Sequence, residues 1–121
     1  MHTAAFRYLS LAKEVANSGD IDRLNGYLEA ALNATFGCEL ALQIQVAGDV
    51  LTLGAMHGAE RGAGAAITKF LALTQHPEMF MAPLEWRRQL LVWLMRSGDI
   101  ARETQSWQAA LSVYNRALDL A

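Results

Sequence analysis

The sequence predicts an all-α fold of short antiparallel helical hairpins, three of them stacked in a row, and three observations support this. Apolar residues recur every three or four positions along most of the 121-residue chain, which is the period of an amphipathic helix. No segment alternates Val, Ile or Thr with polar residues between turn residues, so strands have no support. Both prolines, Pro77 and Pro83, fall in one short stretch, which leaves the rest of the chain free to form helices.

Six helices are expected from this period and from the residues that start and stop helices. They are predicted at about residues 3–16, 20–34, 39–57, 63–74, 83–104 and 106–120. Gly19 can take the left-handed conformation that ends the first helix, and Asp20 is the expected N-cap of the second. The stretch from Gly58 to Gly64 is the expected hinge after the third helix. The fourth ends before Pro77, because a residue that precedes proline avoids the helical region, and Pro83 suits the start of the fifth.

The composition narrows the classes of function. Apolar residues make up 53% of the chain and charged residues only 18%, which is more apolar character than a small domain easily buries. Either abundant alanine inflates the count or an apolar face awaits a partner. The net charge of −2, without any run of Lys or Arg, argues against nucleic acid or an anionic membrane as the partner.

The sequence also points to a cytoplasmic protein. The longest apolar-rich run, residues 40–56, contains Gln43, Gln45 and Asp49 and is too short and polar to insert into a membrane. The single cysteine, Cys38, excludes an internal disulfide and fits a reducing compartment. The first residues lack the basic segment and unbroken apolar stretch of a signal peptide.

No residue pattern indicates catalysis, a cofactor or a metal. His57 with Glu60, and His76 with Glu78, lack the i, i+4 spacing that places two ligands on one face of a helix. The glycines of GAERGAG are not followed by the Lys-Ser or Lys-Thr of a phosphate-binding loop. Trp107 has helical spacing with other apolar residues and is expected in the core. We therefore expect a non-enzymatic protein without cofactor or metal.

Three segments of the chain align with one another: IDRLNGYLEAAL from Ile21, AGAAITKFLALT from Ala63 and WQAALSVYNRAL from Trp107. Each has a small or apolar residue, a large one four positions later and a small or apolar one three positions after that. These aligned triads are Leu24, Leu28 and Ala31; Ala66, Phe70 and Leu73; and Ala110, Tyr114 and Ala117. The large residues are 42 and 44 residues apart, a separation typical of helical repeat proteins.

Residues upstream of the triads keep the same register. Leu53-Gly54 precedes Ala66 by the interval of a Leu-Gly pair, and Gly98 stands correspondingly before the third segment, where Gln105 occupies the place of a turn glycine. This pattern resembles the tetratricopeptide repeat family, in its longer-repeat variety. The resemblance covers about residues 5–38, 47–80 and 91–121, and it implies a single domain in which three hairpins form a short superhelix.

In that family the first helices of successive repeats line a concave groove that holds a peptide or a helix of another protein. Carried over position by position, the groove residues are Phe6, Leu9, Lys13 and Ala16; Leu51, Ala55 and Gly58; and Met95, Asp99 and Arg102. The resemblance thus implies a protein-binding module, similar to the small tetratricopeptide-like chaperones of type III secretion that shield an aggregation-prone subunit. The alternative is a regulatory, sensor or assembly domain similar to the repeat regions of large bacterial transcription activators.

The last helix has more apolar residues than one face can hold. They are Trp107, Leu111, Val113, Tyr114, Leu118 and Leu120. Since helical geometry cannot point all of them toward the preceding hairpin, another chain is expected to cover some of them. The sequence therefore predicts a homodimer or an obligate complex with another protein.

Overall fold

The computed structural model describes residues 2–121 and confirms the all-α prediction. This part of the chain contains six α-helices and one 3-10 helix, and no strand. The bounds are α1 His2–Ala16, α2 Ile21–Asn33, α3 Leu40–His57, α4 Glu60–Thr74, the 3-10 helix Pro77–Met81, α5 Leu84–Glu103 and α6 Trp107–Leu120. The N-cap prediction is also confirmed, because a carboxylate oxygen of Asp20 accepts a hydrogen bond from the backbone N–H of Arg23 at 3.1 Å.

The predicted hinge between α3 and α4 is wrong in its length. Only Gly58 takes the left-handed conformation, with φ 71°, and α4 begins at Glu60, so the last glycines of the expected hinge lie inside a helix. The reason is a contact from another helix. The side-chain oxygen of Asn25 in α2 accepts the backbone N–H of Gly62 at 2.8 Å, which caps a helix end whose own N-cap residue, Ala59, has no acceptor.

The turns between α1 and α2, between α3 and α4, and between α5 and α6 each contain one residue with a positive φ. These are Gly19 at 80°, Gly58 at 71° and Gln105 at 63°, and each lies two positions before the helix that follows. Gln105 therefore adopts the conformation of the turn glycine whose place it takes in the sequence pattern. A side chain with a Cβ pays a steric cost in that region, which glycine avoids.

The residues divide into two compact units, one ending at Lys69 and one comprising Phe70–Ala121. In the N-terminal unit α1 packs against α2, and α3 lies against both. Its fully buried large side chains are Leu9, Leu24, Leu28, Ile44, Val46, Val50 and Leu51. Burial of each stabilises the fold by about 1.5–3 kcal/mol relative to exposure, so these seven residues form the core of this unit.

In the C-terminal unit α5 packs against α6. The Phe70 ring stacks on Trp93, with ring centroids 5.9 Å apart and planes 9° from parallel. At Gly98 the Tyr114 ring lies so close to the α5 backbone that a Cβ would overlap it. The Tyr114 hydroxyl donates a hydrogen bond to Oδ1 of Asp99 at 2.5 Å.

The aligned triads lie in the interior with one partial exception. Eight of their nine members are buried, and the ninth, Tyr114, is half-buried. The expectation that Trp107 belongs to the core is wrong, since most of its side chain is exposed. It lies on a different face of α6 from Ala110 and Ala117, which pack inward.

Candidate protein-binding surface

Helix α6 has two apolar faces, and only one of them is buried. Its buried residues are Ala110, Val113 and Ala117. Trp107, Leu111, Tyr114 and Leu118 form the second face, with alternating spacings of four and three that place them on one side of a helix. Trp107, Leu111 and Leu118 are exposed, and Tyr114 is half-buried. A row of large exposed apolar side chains is unusual on a small protein and marks an interaction surface.

The neighbouring helix α5 extends this surface. The Tyr114 hydroxyl reaches Asp99, which shows which side of α5 adjoins the second face of α6. Met95 lies one helical turn before Asp99 and therefore on that same side, where its side chain is exposed. We call the set Met95, Trp107, Leu111, Tyr114 and Leu118 the hairpin face.

One edge of the hairpin face is charged. A guanidinium nitrogen of Arg102 lies 3.8 Å from Oδ1 of Asp99, the same oxygen that accepts the Tyr114 hydroxyl, and both charged side chains are exposed. The hydrogen bond to Asp99 raises the pKa of Tyr114, which keeps the hydroxyl protonated as a donor. An exposed ion pair contributes little to stability, so the chief effect of Asp99 and Arg102 is to place charged groups along one edge of the hairpin face.

Three of the predicted groove residues do not lie on a surface. Leu9 and Leu51 are fully buried in the core of the N-terminal unit and Ala16 is buried there as well, so a partner cannot contact them in this structure. The physical reason is that both α2 and α3 pack against α1, which contains Leu9 and Ala16, while α3, which contains Leu51, has buried residues on nearly all sides. As groove residues these three are corrected to core residues.

The other predicted groove residues are accessible but belong to different units. Phe6, Lys13, Ala55 and Gly58 are exposed in the N-terminal unit. Lys13 is close enough to Asp49 of α3 to favour its carboxylate, although burial has the larger effect and raises the pKa of Asp49. In the C-terminal unit α5 brings Met95, Asp99 and Arg102 together along one side. That all seven accessible residues line a single groove stays a prediction.

The predicted groove left out Trp107, Leu111, Tyr114 and Leu118, although the sequence predicted that another chain covers part of the last helix, and one signal could have identified them as a set. Their spacing of four, three and four residues is that of a helix–helix packing seam. A second seam, at Ala110, Val113 and Ala117, runs beside it. The repeat alignment drew attention to Ala110 and Ala117 of the second seam, which is buried.

The described residues have no arrangement suited to metal or membrane binding. Within residues 2–121 there is no group of three or more His, Cys, Asp or Glu side chains that could hold a metal ion. None of the helices in this range has the length and hydropathy needed to cross a membrane. The chemistry of the hairpin face is that of apolar contact beside a charged edge.

Comparisons of the chain with protein-family models, with curated proteins and with solved structures gave no match.

Proposed function

We propose that the protein is a non-enzymatic binding module that holds an apolar or amphipathic segment of a partner protein, as a small chaperone or adaptor does. The observation that carries the proposal is the hairpin face, where Trp107, Leu111 and Leu118 are exposed in a row. Burying such a row in a complex removes apolar surface from water at about 25 cal/mol per Å², the main favourable term in protein association.

The finer form of the proposal follows the sequence resemblance. The chain is a short tetratricopeptide-like superhelix of three hairpins in one domain, and it acts as a cytoplasmic bacterial chaperone similar to those of type III secretion. The recurrence of a left-handed residue two positions before each of α2, α4 and α6 supports the repeats. So does the burial of the aligned triads.

A paired set of charge substitutions tests the proposal. Leu111→Glu combined with Leu118→Glu places two carboxylates on the hairpin face, and Ser112→Glu places one on a different face of the same helix. All three positions are exposed, so circular dichroism should show an unchanged helical fold for both proteins.

The readout is the polypeptide that co-purifies with each form at native expression level, identified and quantified by mass spectrometry. We expect one defined polypeptide at constant stoichiometry with the unmodified chain and with Ser112→Glu, and its loss with the double variant, because unpaired buried charge is costly. Equal recovery with all three forms would refute the proposal. A bound small molecule in place of a polypeptide would favour the regulatory alternative.

A further inference from the structure

The α1/α2 and α5/α6 hairpins share one register. Helix α2 begins at Ile21 and α6 at Trp107, which are 86 residues apart, and the left-handed residues Gly19 and Gln105 have the same separation. Since turn conformation and helix start coincide, residues at this separation occupy equivalent places in the two hairpins. The two hairpins can therefore be compared position by position.

Equivalent positions differ sharply in burial. The exposed fraction is 2% at Leu9 but 46% at Met95, 6% at Asn25 but 62% at Leu111, and 8% at Leu32 but 74% at Leu118. A position that is interior in the first hairpin is thus an exposed, large apolar side chain in the third. Since the turn and the start of the second helix coincide in the two hairpins, the difference points to what lies over each of them.

Helices cover these positions in the N-terminal unit. Helix α3 lies against both α1 and α2. The first turn of α4 also reaches α2, where the Gly62 N–H bonds to the Asn25 side chain at 2.8 Å. The covering elements are therefore helices, and one of them, α3, contacts both helices of the hairpin.

From this comparison we infer that the hairpin face is a docking site for an amphipathic α-helix of the partner, which lies against α5 and α6 as α3 lies against α1 and α2. This rests on the proposed function and specifies the partner's chemistry. The docking helix presents aliphatic side chains at i, i+3 or i+4, and i+7 to the apolar residues of the face.

The charged edge specifies one further group on that helix. Lys13 of α1 lies near the carboxylate of Asp49 in α3. The residue equivalent to Lys13 in the third hairpin is Asp99, which reverses the sign of the charge. A docking helix in the position of α3 is complementary to Asp99 when it carries Lys or Arg at the place that Asp49 occupies in α3.

The size of the face favours a single helix over a second copy of the chain. The exposed surface of Met95, Trp107, Leu111 and Leu118 amounts to roughly 490 Å². A standard interface between two folded proteins buries about 800 Å² on each partner, well above that amount. One amphipathic helix laid along the face covers it without requiring further surface.

The test uses the full chain and two designed peptides of 18 residues, the length of α3. Both peptides have leucine at heptad a and d positions, and they differ only in a lysine or a glutamate at the position expected to face Asp99. Binding is measured by isothermal titration calorimetry. We expect the lysine peptide to bind about two- to fivefold more tightly than the glutamate peptide, the range for an exposed ion pair.

Asp99→Lys should reverse that preference, because it exchanges attraction for repulsion at the same place. Leu111→Glu should abolish binding of both peptides, and Ser112→Glu should leave both affinities unchanged. Failure of the lysine peptide to bind at about 1 mM, or an unchanged preference with Asp99→Lys, would overturn helix docking. The proposed function would survive that result if the double leucine variant still lost its natural polypeptide.

Sedimentation of the pure chain tests the second copy as occupant. A stable dimer that Leu111→Glu dissociates would show that another copy occupies the face, and would also overturn the docking of a partner helix. A monomer that binds the lysine peptide supports the inference.

Discussion

The sharpest stability test compares the same substitution at two glycines of α4. Gly62 and Gly64 lie two residues apart in one helix, yet their surroundings are opposite. A Cβ added at Gly62 would lie 2.7 Å from Cδ1 and 3.0 Å from Cβ of Leu28, and 3.3 Å from the oxygen of Asn25. A Cβ added at Gly64 would meet nothing within 4 Å.

The expected magnitudes follow from these distances. Replacing glycine by alanine inside a helix contributes about 1 kcal/mol of stability through helix propensity, and Gly64→Ala should show most of this gain. Gly62→Ala has the same gain, but overpacking in a close-packed core costs about 1–3 kcal/mol. Leu28 is fully buried and cannot move aside freely. Gly62→Ala should therefore be less stable than Gly64→Ala by about 1–3 kcal/mol.

Urea unfolding followed by circular dichroism at 222 nm measures both free energies of unfolding in one experiment. The helix-propensity contribution is the same in both variants and cancels when their free energies of unfolding are subtracted. The remaining difference measures the cost of the Gly62 contact between α4 and α2. Equal stability of the two alanine variants would refute the packing of α4 directly on Leu28. A gain at Gly62 together with a loss at Gly64 would refute it more strongly.

Two other substitutions test features of the fold. Gln105→Gly should raise the free energy of unfolding by about 0.5–1 kcal/mol, because Gln105 has φ 63°, which glycine adopts at lower cost. Ala109→Gly, in the exposed start of α6, is the control and should lower the free energy of unfolding by up to about 1 kcal/mol. Thermal denaturation measures both variants, and a loss of stability with Gln105→Gly would contradict the strained turn. Burial raises the pKa of Asp49 above 3.8, so the folded state binds its proton more tightly and the contribution of Asp49 to stability falls as pH rises above 3.8. Asp49→Asn should accordingly have a higher free energy of unfolding than the unmodified chain at neutral pH, and the difference should shrink toward about pH 3. Urea titrations at a series of pH values measure this difference. A lower free energy of unfolding for Asp49→Asn at neutral pH would show that the attraction of Asp49 to Lys13 outweighs the cost of burial.

Local features were predictable because they depend on residues close together in sequence. The N-cap Asp20 bonds three residues ahead, and the left-handed turn at Gly19 needs only glycine's freedom at that point. The aligned triads were predictable as interior positions because a period near 3.6 keeps one face of a helix apolar. The 3-10 helix at Pro77–Met81 was missed, since such short turns leave no periodic signal.

The candidate site was only partly predictable for a different reason. Met95, Asp99 and Arg102 were assigned to a binding surface by resemblance, and the structure places them together beside Tyr114. Leu9 was assigned by the same argument and is buried, although it is equivalent to Met95. The residues around Leu9 and those around Met95 do not show which of the two is buried, because burial depends on whether another helix packs over that position.

The sequence by itself determined that this protein is all-α, where most of its helices begin and end, and that nearly all residues of the aligned triads are buried. Those properties come from backbone hydrogen bonds and side-chain periods that act over a few residues. Only the tertiary structure decided that Asn25 caps α4 from another helix, that α3 covers the first hairpin, and that the second apolar face of α6 is left exposed. These features depend on contacts between residues far apart in the chain, where an apolar side chain has the same local pattern whether a neighbouring helix or water lies against it.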